Sequence, residues 1–157
     1  MAEMLNANHK IMRASTMNRV VWAAIGIASA AMLTSCESRV AQCQKIIQVH
    51  NATFFGSQNL TQAGRQSDLN TLKQTAAYFT NAAQQMTAVE VSDGKLKDYR
   101  NRFAAMYQTA GESTDRAIAK IAAKDRAQAN AEAKKVRDAI APERELVPEL
   151  NQYCSSQ

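Results

Sequence analysis

A chain of 157 residues, 46% of them apolar, is long enough to close one hydrophobic core, and 5 glycines and 2 prolines leave few places for tight turns. The formal charge of +5 overstates the basicity of the body, because Lys10, Arg13 and Arg19 against Glu3 supply +2 of it near the N-terminus and leave 16 basic and 13 acidic residues dispersed over the rest. No basic stripe interleaved with aromatic residues is present, which argues against nucleic acid as a partner, and the 6% aromatic content without sustained apolar-polar alternation leaves strands unsupported.

The first recognisable element is a leader. Arg19 precedes Val20–Leu33, 14 residues without a charge, and small residues then lead to a cysteine: a positive region, an apolar region and a cleavage region in the order that export signals require. The apolar run is shorter than the roughly 20 residues that span a bilayer, so it reads as a segment to be removed, covering residues 1–35. Residues 1–16 are long for such an n-region and are consistent with a misplaced start, Met17 being the alternative first residue.

The tetrad Leu33-Thr34-Ser35-Cys36 resembles the bacterial lipobox. Membership of that lipoprotein family implies that the Cys36 thiol receives a diacylglycerol, that cleavage falls just before it, and that its new amino group is acylated. Several acyl chains hold a protein on a membrane far more firmly than one. The rival readings are an ordinary signal peptide cut nearby and an uncleaved N-terminal helix.

From residue 36 the pattern predicts one all-α domain over 36–157, an up-and-down four-helix bundle with helices near 37–55, 68–91, 95–123 and 126–153. Val40, Cys43, Ile47, His50 and Phe54 recur at spacings of three and four in helix one. Gly56 and Gly64 within a polar stretch then predict a loop over 56–67. Helix one is therefore expected to be about a third shorter than the others, leaving a groove near Phe54 and Phe55 unless that loop fills it.

Helix two follows a Ser67 or Asp68 cap, with Leu69, Leu72, Ala76, Phe79, Ala83 and Met86 on its seam. Ser92-Asp93-Gly94 ends it, and helix three carries Leu96, Tyr99, Phe103, Met106 and Ala110. The next break is placed at Asp125, where an N-cap follows a lysine suited to a helix C-terminus; the rival is 110–113, around Gly111. Helix four continues through Ala129, Ala133, Val136, Ile140, Val147, Leu150 and Cys154, with Pro142 and Pro148 expected to bend or restart it.

Cys43 and Cys154 fall near the first and last turns. An even number of antiparallel helices brings those turns to one end, whereas an odd number separates them by a helix length, roughly 40 Å for 28 residues. A disulfide needs Cα atoms within about 7 Å. Export favours oxidation, so a Cys43–Cys154 disulfide and a four-helix count support each other; separately buried thiols are the alternative. The staple, the lipid at Cys36 and the turn between helices two and three would then share the membrane-proximal end.

Chemistry is sparse. After the leader His50 is the only histidine, no C-x-x-C-H or Glu-x-x-His occurs, and a packing histidine is the ordinary role at its stripe position. No enzyme, metal or cofactor is expected. Helix two supplies the candidate partner face, because between Asp68 and Glu90 its only charge is Lys73, while Asn70, Gln74, Asn81, Gln84 and Gln85 offer neutral amides that can be covered without stripping charges of water.

These features point to a lipid-anchored bundle in the bacterial cell envelope, facing the periplasm or an equivalent lumen, that acts by binding as an accessory or assembly subunit of a membrane complex. In leader and helix count it is similar to the small four-helix lipoproteins on the lumenal face of cyanobacterial photosystems. The alternative function is a carrier of a small apolar ligand or of haem held by His50 with Met86 or Met106.

Overall fold

A computed structural model describes residues 37–63 and 68–156, with side chains of the first stretch described as far as Gln58. The leader and Cys36 lie outside them. The described residues form an all-α bundle of α1 (Arg39–Ala63), α2 (Leu69–Thr87), α3 (Gly94–Ala122), α4 (Arg126–Ile140) and α5 (Glu143–Ser155). Four helical arms run up and down, the fourth divided into α4 and α5. Helix α2 packs on α1 and α3, α4 packs on α3, and α5 packs on α1 and α3. Among the described residues no helix is long and apolar enough to cross a membrane.

Short polar side chains start the helices where their free amides need acceptors. Ser38 Oγ accepts from Ala41 N at 3.2 Å before α1, and Asp68 from Asn70 N at 3.1 Å before α2. Asp93 accepts from Leu96 N at 2.9 Å before α3, and Asp125 from Gln128 N at 3.1 Å before α4. The break at Asp125 is thus the observed one. Lys124 holds φ at 57° there while Asp125 N bonds back to the Lys120 carbonyl at 2.9 Å, a left-handed closure of the last α3 turn.

Gly111, the rival breakpoint, lies inside α3. It is buried where a Cβ would come within 2.8 Å of Thr80 Oγ1 and 3.3 Å of the Ala76 carbonyl, so its hydrogen lets α2 and α3 approach. Gly56 acts similarly. The expected loop at 56 is instead helix, and α1 continues to Ala63, because the missing Cβ makes room for Tyr78, whose hydroxyl donates to the Ala52 carbonyl at 2.6 Å. Helix α1 is therefore not the short one.

One further boundary differs from expectation. Helix α2 ends at Thr87 rather than near 91, and Val89 and Val91 turn into the core from the link that follows. That link is held by Gln42, 3% exposed, whose Oε1 accepts from Ser92 N at 2.6 Å and Asp93 N at 3.0 Å. Replacing Gln42 with alanine strands these two amides, and we expect a stability loss of about 1–3 kcal/mol, read in a denaturant titration. The last arm restarts at Pro142, while Pro148 is absorbed inside α5.

The core occupies the half of the bundle around the start of α1 and the end of α5. Ile46, Met86, Leu96, Phe103, Leu146 and Leu150 are at most 2% exposed there, and Cys43 and Cys154 are disulfide-bonded with Cα atoms 6.0 Å apart. Tyr153 OH donates to Asp93 Oδ2 at 2.8 Å, and the Arg39 guanidinium sits 5.1 Å from the Tyr153 ring centre. These contacts place the first turn of α1, the α2–α3 link and the end of α5 together. In the other half the buried residues of α2 and α3 are small: Ala76, Ala110, Ser113, Thr114 and Ala117.

Candidate functional site

The amide face of α2 is built by register. At 3.6 residues per turn, Asn70, Gln74, Asn81, Gln84 and Gln85 fall within roughly a 100° arc, and all five are exposed. Ala77 and Ala88 share the arc and are exposed too. The arc is opposite Ala76, Ala83 and Met86, which point into the bundle. Gln85 Nε2 donates to Asn81 Oδ1 at 3.0 Å, so part of the face is already ordered.

Helix α3 extends this surface, a contribution that was not anticipated. Asn101, Ala105, Gln108 and Glu112 recur at spacings of four, three and four on its exposed side, and from Phe103 to Gly111 α3 carries no charge. Gln108 Nε2 donates to Glu112 Oε1 at 2.9 Å. Between the two helices runs a shallow groove of about 460 Å³ bordered by Thr80, Gln84, Thr87, Gln108 and Glu112. Thr87 donates its hydroxyl to the Ala83 carbonyl at 2.8 Å, so it needs no further acceptor.

The cysteines 43 and 154 are brought together; Cys36 lies outside the described residues. His50 is buried, but the α1 stripe is rotated by about one residue from its expected phase. Ile46 and Thr53 are more deeply buried than Ile47 and Phe54, and Phe54 is 42% exposed. Thr53 tolerates this because its hydroxyl donates to the Val49 carbonyl at 2.8 Å.

His50 Nδ1 lies 2.9 Å from Tyr107 OH and 3.4 Å from Glu143 Oε1, joining α1, α3 and the first turn of α5. Burial lowers the affinity of the His50 ring for a proton and raises that of the Glu143 carboxylate. Burial likewise pushes the Tyr107 phenol upward. With the ring neutral and its proton on Nε2, Tyr107 donates to Nδ1. Phe103 lies against the ring at 5.2 Å between centroids. Neither His50, Tyr107 nor Glu143 lines the α2–α3 groove or the two grooves beside α4, so this cluster has no evident access for a substrate there. Met86 and Met106 are buried in the core. Among the described residues no three histidine, cysteine or carboxylate side chains group to hold a metal.

A short helix one would leave a groove near Phe54 and Phe55 unless the 56–67 loop filled it, and neither phenylalanine lines the two grooves beside α4. A groove is found toward that end for a different reason: α4 follows α3 and makes no interface with α1 comparable to that of α5. The opening of about 480 Å³ lies among Ser57 of α1, Leu72 and Phe79 of α2, Thr114 of α3, and Val136 and Ile140 of α4.

No family model matches the chain, and neither a curated protein nor a solved structure is similar to it at a significant level.

Proposed function

We propose that this is an exported, lipid-anchored helical-bundle protein that acts without catalysis, as a binding or assembly subunit of a membrane complex in a bacterial envelope. The observation that carries the reading is the amide-rich surface formed by two adjacent helices, with amides on α2 and Asn101, Ala105 and Gln108 on α3, where Glu112 in the groove and Arg100 beside Asn101 are the charges. Interfaces are depleted in charge at their centres because each buried ion must be desolvated. The lipobox at Leu33–Cys36 supports anchorage. With acyl chains at Cys36, the disulfide and the α2–α3 link face the membrane, and the α2 face stands along the side of the bundle, open to a neighbour in the same membrane.

Crosslinking in native membranes tests the reading. The wild-type protein is expected to co-migrate with a larger complex, and Gln84→Glu, which places an unpaired charge at the centre of the face, should weaken that association by about tenfold or more. Its folding stability should change by no more than about 0.5 kcal/mol, since Gln84 is exposed. Unchanged association would remove α2 as the docking face, and absence of any complex would remove the function. Intact mass of the mature protein tests anchorage: the chain should begin at Cys36 and carry acyl mass. The haem-carrier alternative requires a visible absorption band that His50→Ala abolishes.

A further inference from the structure

We propose that the groove between α2, α3 and α4 binds a long-chain fatty acid, its carboxylate held by Arg137. This site is distinct from the α2–α3 amide face, and the inference does not depend on the partner reading.

The argument begins with an uneven distribution of apolar side chains. Large ones fill the half of the bundle near the disulfide, whereas the other half is packed with small residues and carries all four large hydrophobic residues exposed among the described ones: Phe54, Phe55, Leu69 and Ile121. In an up-and-down bundle the fourth arm normally closes against the first. Here the restart at Pro142 assigns that contact to α5, and α4 leaves a groove where its own interface with α1 would be.

What lines this groove is carbon. Leu72, Phe79, Val136 and Ile140 are half-buried around it. Three of its four hydroxyl residues are engaged with their own helices: Thr75 donates to the Thr71 carbonyl at 2.9 Å, Thr114 to the Ala110 carbonyl at 2.8 Å, and Ser57 to the Phe54 carbonyl at 2.8 Å, while Thr71 is the fourth. The groove continues past Leu72, Ala117 and Ala133 into a second opening of about 680 Å³ that reaches Ile121. From Arg126 to Arg137, α4 advances about 16 Å, long enough to cover most of an extended acyl chain.

The rim selects the charge. Arg137 borders the first opening, Lys124 and Arg126 border the second, and among the described residues no carboxylate lines either. On the same arms Arg116 is matched by Glu132 at 2.9 Å and Lys134 by Asp138 at 2.6 Å, whereas Lys120, Lys124 and Arg126 form no ion pair among the described residues. Among the described residues Arg137 has no such partner. An apolar trough with an unmatched guanidinium at its edge complements a single chain ending in a carboxylate, which a guanidinium can grip through two parallel hydrogen bonds.

Photolabelling of the full-length protein in zwitterionic nanodiscs with a diazirine analogue of palmitate tests the assignment. Saturable labelling is expected on α2 and α4 peptides, competed by unlabelled palmitate and much less by hexadecanol. Arg137→Gln, at an exposed position, should weaken labelling by about tenfold, and Ala133→Trp should abolish it by filling the trough, with thermal melting reporting that each variant folds. Non-saturable labelling spread over the surface would overturn the proposal, as would equal competition by hexadecanol or an Arg137→Gln variant that labels like wild type. Intermolecular crosslinks showing a second copy or another polypeptide seated in the groove would overturn it equally.

Discussion

Replacing Cys43 and Cys154 together with alanine is expected to destabilise the protein by about 2–4 kcal/mol, with thermal unfolding moving down by ten degrees or more for a domain of this size. The bond joins positions 111 residues apart and so closes nearly the whole described domain. In the chain-entropy view a crosslink of that span removes more freedom from the unfolded state than any short-range one does. The folded state also loses something specific. Cys43 is 2% exposed and packs with Ile46, Leu146 and Leu150, so two alanines leave a gap at the junction of α1 and α5. Because α5 meets α1 over a short stretch, its fraying should be the first visible consequence. Hydrogen exchange should show α5 amides losing protection while those in the middle of α3 keep theirs; uniform loss along the chain would show that the bond supports the whole fold and not this junction. A double variant as stable as the wild type would mean that the thiols contribute only as small packing groups.

Much of the arrangement could be read from residues whose physical role has one interpretation. Asp68 and Asp125 cap helices wherever they precede an apolar rhythm, and Pro142 removes a donor that a continuous last helix would need. The cysteine pairing followed from parity of the arms. Glycine was ambiguous, since the same missing Cβ that suits a turn also suits close contact. Gly56 gives way to Tyr78 and Gly111 to Thr80, both through partners more than twenty residues away. The phase of α1 was hidden for a similar reason: Thr53 resembles a surface residue until its hydroxyl is satisfied by Val49, and Gln42 until the α2–α3 link supplies amides for it. The lack of charge on α2 was legible directly. Its extension onto α3 was not, because it depends on which side of α3 is left uncovered, and the groove beside α4 arises from a helix departing from its neighbour, which no local pattern encodes.

The interior is expected to be most sensitive at Phe103, where alanine should cost about 3–5 kcal/mol, the range for removing a fully buried aromatic ring. Phe103 is 0% exposed, near the middle of α3 where the large-residue core ends, and it contacts more than apolar neighbours. Its ring lies 6.3 Å from that of Tyr107 and 5.2 Å from that of His50. It therefore forms the wall that keeps water from the polar cluster joining α1, α3 and α5. Two effects should separate on measurement. The first is loss of transfer energy and packing, read from denaturant unfolding. The second is chemical: with the wall removed, burial no longer disfavours the protonated imidazole as strongly, and the His50 resonance should titrate closer to its ordinary value near 6.5 than in the wild type. Phe103→Leu, which restores much of the volume, should recover most of the stability and leave His50 titrating at a lower pH than in the alanine variant. If alanine lowers stability as expected yet His50 titrates unchanged, desolvation of that ring comes from Phe54 and the backbone around it, and Phe103 is a packing residue alone.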